Sequence, residues 1–185
     1  VDAVVMCGGR GTRLDASVEK PLYEIGDEPM VCRVLAALEA SSVDGVYGAV
    51  SPATPATRNT LAAESVSVVE TEGTGYVEDL QHVLEEIETP VLTVAADLPL
   101  LDEEAVDRVL AAHEDSSLSV YTPTALKASL GLSYDITVER NGHNLVPSGI
   151  NIVDDREDNM YVTEDSRFAV NVNRQQDGQI AEALL

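Results

Sequence analysis

Short apolar runs alternate with helically spaced apolar positions through the first two thirds of the chain. Ala3 to Cys7 is an apolar run that meets glycine at once, which predicts a buried strand feeding a loop. After Pro29, Val31, Val34, Leu35 and Leu38 recur at helical spacing. Val46 to Val50 predicts a second strand that stops at Ser51-Pro52. Thr54-Pro55 then places a capping residue before a helix-starting proline, for a helix to about Glu64. Val66 to Val69 reads as a strand, Gly73-Thr74-Gly75 as a loop, and Tyr76 to Glu88 as a helix. Val91 to Ala95 is the next strand, followed by a helix from an Asp102 cap to His113. This rhythm predicts an α/β, Rossmann-like, doubly wound fold with a mostly parallel sheet. Ligands of such sheets sit at the carboxyl ends of the strands.

The rhythm breaks after His113. Leu118 to Thr122 and Ser133 to Arg140 read as strands, and Asn141-Gly142 is a two-residue hairpin signal. Leu145 to Val153 reads as a strand interrupted at Pro147-Ser148-Gly149. Phe168 to Val172 is predicted as a last strand and Asp177 to Leu185 as a closing helix. The second half is therefore expected to be mixed. No repeat, linker or low-complexity stretch divides the chain, so residues 1–185 are expected to form one domain.

Charge changes the picture. Thirty-three acids face 11 basic residues, for a net charge of -22, and only Lys20 and Lys127 are lysines. The acids are spread along the chain, which argues a carboxylate-covered fold and not a disordered tail. Such a surface repels itself at low salt, whereas at molar salt the Debye length is about 3 Å and the repulsion is screened. The expected setting is the salt-rich cytoplasm of an extreme halophile. No basic face can be drawn, which excludes duplex nucleic acid as a partner. No apolar run approaches the roughly 18 residues of a membrane span, and the first residues lack a signal-peptide pattern, so a cytoplasmic protein is expected. Nothing in the pattern sets an oligomeric state. Cys7 and Cys32 read as reduced, mostly buried thiols, and His82, His113 and His143 as surface residues without ligand spacing. The acidic run Asp154 to Asn159 lacks the order of a Ca²⁺ loop and reads as solvated.

Against that background, Arg10, Arg13 and Lys20 gather around VVMCGGRGTRL, the stretch from Val4 to Leu14. The spacing is neither GxxxxGK[ST] nor GxGxxG. Gly8, Gly9 and Gly11 would let backbone N–H groups approach a triphosphate, with Arg10 and Arg13 forking onto its oxygens and Lys20 adding a point charge. A tight turn with solubilising arginines is the competing reading, weakened because carboxylates already provide solubility. Asp97 follows a buried strand and precedes Leu98-Pro99, a place where one carboxylate can hold Mg²⁺ together with substrate phosphates. A helix cap or surface acid is its alternative. Gly73, Thr74 and Gly75 end the third strand where a base would stack, and Ser51 is a second candidate there. Guanine, with N1–H and N2–H donors, needs backbone groups or a carboxylate opposite.

GGRGTRL followed by Lys20-Pro21 resembles the signature of the nucleotidyltransferases that act on sugar phosphates and cofactor phosphates. GTGYVEDL from Gly73, LVPSGINIV from Leu145 and the ending NVN…IAEALL resemble, more narrowly, the archaeal adenosylcobinamide-phosphate guanylyltransferases, over Ala3 to Leu185. The resemblance implies a nucleotide-diphospho-sugar transferase-like fold, with Gly8, Gly9, Arg10, Gly11 and Thr12 around the nucleoside triphosphate. It implies Lys20, Arg13 and Asp97 as the catalytic groups. Mg²⁺ would lie on Asp97, with Asn171 and Asn173 assisting, although Arg174-Gln175 stands where Thr-Pro is commoner. Pro147, Ser148, Gly149 and Asn151 would line the acceptor phosphate site; read without the resemblance, Pro-Ser-Gly is a β-bulge. The implied reaction transfers GMP from GTP to adenosylcobinamide phosphate with release of pyrophosphate. Guanylylation of molybdenum cofactor or a sugar-1-phosphate, and a non-catalytic nucleotide-binding regulatory module, stay open beside it.

Overall fold

The computed structural model describes residues 1–156 and 158–185; Glu157, inside the acidic run read as a solvated loop, lies outside the described residues. The chain opens with β1 (Asp2–Met6), then crosses a loop with 3-10 turns at Thr12–Leu14 and Lys20–Leu22 to a small ribbon, β2 (Glu24–Ile25) and β3 (Glu28–Pro29). Helix α1 (Met30–Ala40) returns the chain to β4 (Val46–Val50). Then come α2 (Pro55–Ala63), β5 (Ser67–Glu70), α3 (Tyr76–Glu86), β6 (Val91–Ala95) and α4 (Glu103–Ala111), close to the expected bounds. The remainder is β7 (Leu118–Pro123), α5 (Thr124–Leu130), β8 (Val138–Arg140), β9 (His143–Val153), β10 (Asn159–Val162), α6 (Ser166–Ala169) and α7 (Gln175–Leu184).

The main sheet has eight strands in the order β10-β7-β9-β6-β1-β4-β5, with β8 paired to β9. β1 pairs parallel with β4 and β6, β4 with β5, and β7 with β10, while β9 runs antiparallel between β6 and β7. The carboxyl ends of β1, β4, β5, β6 and β7 therefore share one edge. Side chains alternate across the sheet with period two. Ala3 and Val5, with Leu92 and Val94, pack on α1 and α4 through Val31, Val34, Leu38, Val106 and Val109. Val4, Ala49, Val69 and Val91 face the other way, onto Val83 of α3. Helices thus cover both faces. No helix among the described residues is long and apolar enough to cross a membrane.

The departures have local causes. Phe168 to Val172 is not a strand: α6 covers its start, and Phe168, Ala169, Val170 and Val172 are all buried. An apolar run buried on every side carries no period that separates helix from strand. Of Ser133 to Arg140 only Val138–Arg140 is strand. Pro147-Ser148-Gly149 does not interrupt β9 but forms a bulge in it, between the pairs Ser119–Asn151 and Tyr121–Pro147. His113 is not a surface residue; its side chain is 11% exposed, with Nε2 3.3 Å from Asp154. Thr54 stands at the N-cap of α2 without capping it. Asp102 does cap α4, accepting from the Ala105 N–H at 2.9 Å.

Asp102 also belongs to an ion cluster that ties α4 to α6. Arg167 donates to both Asp102 oxygens at 2.6 Å and to Asp165 at 2.7 Å, and Arg108 pairs with Asp165. Burial alone would raise the Asp165 carboxyl, but the bonds from Arg167 and Arg108 outweigh it and hold it at about 2. A depressed folded-state value means stability that is present above the unfolded value of about 3.9 and lost as pH falls toward 2. Asp165→Asn is accordingly expected to cost on the order of 2 kcal/mol at pH 7. Urea unfolding at fixed salt should show the wild type losing stability between about pH 5 and 2, with a shallower fall in the variant.

Candidate active site

The shared edge of parallel strands collects the predicted residues. Gly8 and Gly9 leave β1, Ser51 leaves β4, Gly73 to Gly75 follow β5, and Asp97 follows β6. Asp97 is the centre. Its Oδ2 accepts from Lys20 Nζ at 2.5 Å, and Lys20 also donates to the Asn173 Oδ1 at 2.8 Å. Asn171 Nδ2 donates to Asp97 Oδ1 at 3.2 Å and to the Ser148 carbonyl at 2.7 Å. The Val172 N–H donates to the Asp97 carbonyl at 3.0 Å, which fixes the asparagine segment against the end of β6.

A residue that the motifs did not point to completes the network. Lys127 of α5 is 1% exposed, and its Nζ donates to Asn171 Oδ1 at 2.9 Å. Burial depresses its ammonium from the ordinary lysine range, partly opposed by the Asp97 and Asp177 carboxylates. Both lysines of this acidic chain thus converge on one aspartate. The available signal was rarity: two lysines in 185 residues.

Three contiguous clefts run along the edge. The smallest, about 90 Å³, is bounded by Met6, Cys7, Gly9, Lys20 and Asp97. Burial pushes the Cys7 thiol up to about 12, so it contributes a neutral wall. On one side a cleft of about 320 Å³ is lined by Gly8, Gly9, Arg10, Gly73, Thr74, Gly75, Tyr76 and Asp79. On the other a cleft of about 400 Å³ includes Arg13, Tyr76, Asp97, Lys127, Tyr134, Pro147, Gly149, Asn151, Asn171 and Asn173 among its lining residues. Tyr76 is the partition between them, receiving the Asn151 amide at 3.3 Å.

Individual residues depart from their expected parts. Ser51 is buried and donates to the Gly8 carbonyl at 2.9 Å, so it shapes the loop from beneath. Ser148 is fully buried, its Oγ accepting from the Ile150 N–H, and only its neighbours reach the cleft. Arg13 pairs with Asp135 at the rim of the larger cleft, away from the glycines. Thr12 opens a 3-10 turn and is exposed. Glu19, next to Lys20, serves another element. Its carboxylate accepts from Ala56 N at 2.8 Å, Thr57 N at 2.7 Å and Thr57 Oγ1 at 2.6 Å, capping α2 from outside the helix and anchoring the residue beside Lys20. Asp177, 1% exposed, accepts from Ser133 and from the Asn173 and Arg174 N–H groups, which sets Asn173 toward Lys20.

Among the described residues no three His, Cys, Asp or Glu side chains cluster as a metal site. What the edge offers is the Asp97 carboxylate, flanked by the Asn171 and Asn173 amides whose oxygens accept from Lys127 and Lys20. A single carboxylate fits a hard divalent ion that completes its shell with substrate phosphate oxygens.

Comparison with known proteins places the chain among nucleotidyltransferases. The family profile described as MobA-like NTP transferase domain matches residues 3–132. An adenosylcobinamide-phosphate guanylyltransferase of Methanocaldococcus jannaschii is 29% identical, covering 100% of this chain and 97% of that protein. A putative glucose-1-phosphate thymidylyltransferase of Bacillus anthracis superposes with a TM-score of 0.71 at 11% identity, over 99% of this chain and 94% of that one. A CMP:2-keto-3-deoxy-manno-octonic acid synthetase solved with CTP gives a TM-score of 0.60 at 17% identity, over 83% of this chain and 73% of that one. The shared architecture is the nucleotide-diphospho-sugar transferase fold.

The loop geometry yields a paired test. Gly11 has φ +60°, and a Cβ there would strike the Lys20 side chain, whereas a Cβ on Gly9 meets nothing within 4 Å. Gly11→Ala is expected to lose about 1–2 kcal/mol in urea unfolding, from the left-handed backbone alone. Gly9→Ala should unfold as the wild type does.

Proposed function

We propose, from the premise that the chain belongs to the MobA-like NTP transferase domain family, that this nucleotidyltransferase is a GTP:adenosylcobinamide-phosphate guanylyltransferase of cobalamin biosynthesis. Residues 1–185 would act as a single nucleotidyltransferase domain. The observation that carries the reading is the Lys20–Asp97 pair in the small cleft, flanked by one cleft suited to a nucleotide and one to an acceptor. The full-length similarity to the Methanocaldococcus jannaschii guanylyltransferase supports the choice of acceptor.

In this reading the glycine loop, with Gly8, Gly9, Arg10, Gly11 and Thr12, receives the triphosphate through backbone N–H groups and Arg10. The base enters between Gly8 and the Gly73-Thr74-Gly75 turn. Asp79 supports guanine there. It is buried at the cleft wall, its Oδ1 accepts from the Gly73 N–H at 2.9 Å, and its Oδ2 lies against Gly8. A carboxylate oxygen is an acceptor for N1–H and N2–H, which adenine does not present. The acceptor lies along Pro147, Gly149 and Asn151, with Ser148 shaping the bulge behind them.

Transfer is an in-line displacement. An acceptor phosphate oxygen forms a bond to the α-phosphorus as the bond to the bridging oxygen breaks, and pyrophosphate leaves. The acceptor phosphate is already ionised near pH 7, so no general base is needed, and positioning with charge stabilisation carries the rate. Lys20 shifts its ammonium between Asp97 and the departing oxygens, and Arg13 neutralises charge at the mouth. Asp97 would hold a divalent ion, Mg²⁺ in this reading, with the Asn171 and Asn173 amides fixing the carboxylate and Lys20 beside it. When bound, the ion would supply positive charge at the phosphates. The net charge of -22 supports a cytoplasmic enzyme of an extreme halophile.

Incubation with GTP, Mg²⁺ and adenosylcobinamide phosphate in molar KCl is expected to yield the GDP adduct and pyrophosphate. Turnover only with molybdenum cofactor or a sugar-1-phosphate would reassign the acceptor, and GTP binding without any product would make the chain a regulatory module. Lys20→Ala should lower kcat about 10²–10³-fold with folding retained. Asp79→Asn should erode the preference for GTP over ATP, read as the ratio of kcat/KM values.

A further inference from the structure

We infer that Lys127 is the cation of an acceptor-phosphate subsite, so that the cleft between Tyr134, Pro147 and Asn171 is built to take a phosphomonoester. The inference rests on the nucleotidyl-transfer reading and adds the group that grips the second substrate.

Lys127 is buried to 1% exposure, yet it borders the larger cleft. An ammonium has three N–H donors, and Asn171 Oδ1 takes one of them at 2.9 Å. No ion pair engages it among the described residues, although acids outnumber bases threefold in this chain. The Asp97 and Asp177 carboxylates act on it only at a distance, and neither accepts a hydrogen bond from it. Holding one amide in place needs a donor and not a full charge. Of the three Lys127 donors only one is engaged among the described residues, which leaves two for an anion arriving in the cleft.

The other cations bordering that cleft or its rim are engaged. Arg13 and Arg174 both hold Asp135, and Lys20 is divided between Asp97 and Asn173. A second anionic substrate approaching the α-phosphorus must also pass Asp97. Lys127 stands on the opposite side of Asn171 from that carboxylate, joined to it through the same amide. It offers its remaining donors where a phosphate oxygen would lie before attack. The bulge helps: Gly149 has φ +85°, and a Cβ there would come within 2.9 Å of the Ala95 Cβ and 3.6 Å of Asn171 Nδ2, so the backbone lies close to the amide. The fold brings Lys127 here because β7 is parallel to β6, and α5 begins at the same carboxyl edge as Asp97.

A chain with two lysines gives two lysine Cε signals when expressed with ¹³C-lysine, and Lys127→Gln assigns them by removing one. GTP alone is expected to shift the Lys20 signal. The corrinoid phosphate, and inorganic phosphate as a minimal probe, should shift the Lys127 signal, while the same corrinoid without phosphate should leave it in place. Lys127→Met, which replaces the buried charge by an apolar chain of similar length, should lose at least ~10-fold of the binding preference for the phosphorylated over the unphosphorylated corrinoid. A Lys127 signal that follows GTP and ignores every phosphomonoester would overturn the inference, as would an unchanged preference in a folded Lys127→Met. If inorganic phosphate moves Lys127 but the corrinoid phosphate does not bind, the subsite stands and the corrinoid assignment falls.

Discussion

One carboxylate, Asp97, holds the site together. Lys20 from the first loop, Asn171 from the segment after α6, and through Asn171 the Lys127 of α5 all meet on its two oxygens. These residues are separated by 77, 74 and 44 positions in the contacts that join them, so the network closes only when the whole sheet has formed. Its place follows from topology. Parallel strands deliver their following loops to one edge, and β6, central among them, puts Asp97 in the middle. The antiparallel β9 brings the bulge at Gly149 to the same point from the other direction.

The parts of the fold with a clear period were legible in the sequence. β1, β4 and β6, with α1 and α4, follow the alternation of apolar runs and helical spacings, because these strands are buried on both faces and the helices on one. The second half was harder for physical reasons. Thr124 to Leu130 makes a helix of seven residues, too short for a helical period to separate itself. β10 is four residues beside an acidic run, and its polar and exposed positions hide its pairing with β7. Phe168 to Val172 is buried throughout, and burial on every side erases the distinction that period-reading depends on.

The site was legible where a residue type has few other uses. A glycine loop with arginines and a lysine, in a chain that otherwise avoids cations, pointed to the phosphate end, and an aspartate at the end of a buried strand pointed to the centre. Side chains acting through backbone groups were not legible. Glu19, beside Lys20 in sequence, caps α2; Asp177 looked like the start of a helix and is the clamp that orients Asn173. Ser51 and Ser148 were read as contacts and support the backbone from behind. In each case the role is fixed by which backbone N–H and C=O groups need a partner elsewhere in the fold, information that spacing does not contain.

The charge pattern then explains why the cations are placed as they are. In the salt-rich setting proposed for this chain, a Debye length of about 3 Å leaves little attraction beyond contact range. A diffuse positive face would steer nothing there, and the surface can remain carboxylate-covered without repelling anionic substrates at a distance. Recognition must instead come from cations held inside clefts, where water is reduced and screening ions are excluded. Lys20, 17% exposed, and Lys127, 1% exposed, meet that requirement, while the more exposed Arg13 and Arg174 are tied to Asp135 at the rim. An overall charge of -22 and a site for phosphates are therefore compatible within one chain, because the two act at different distances.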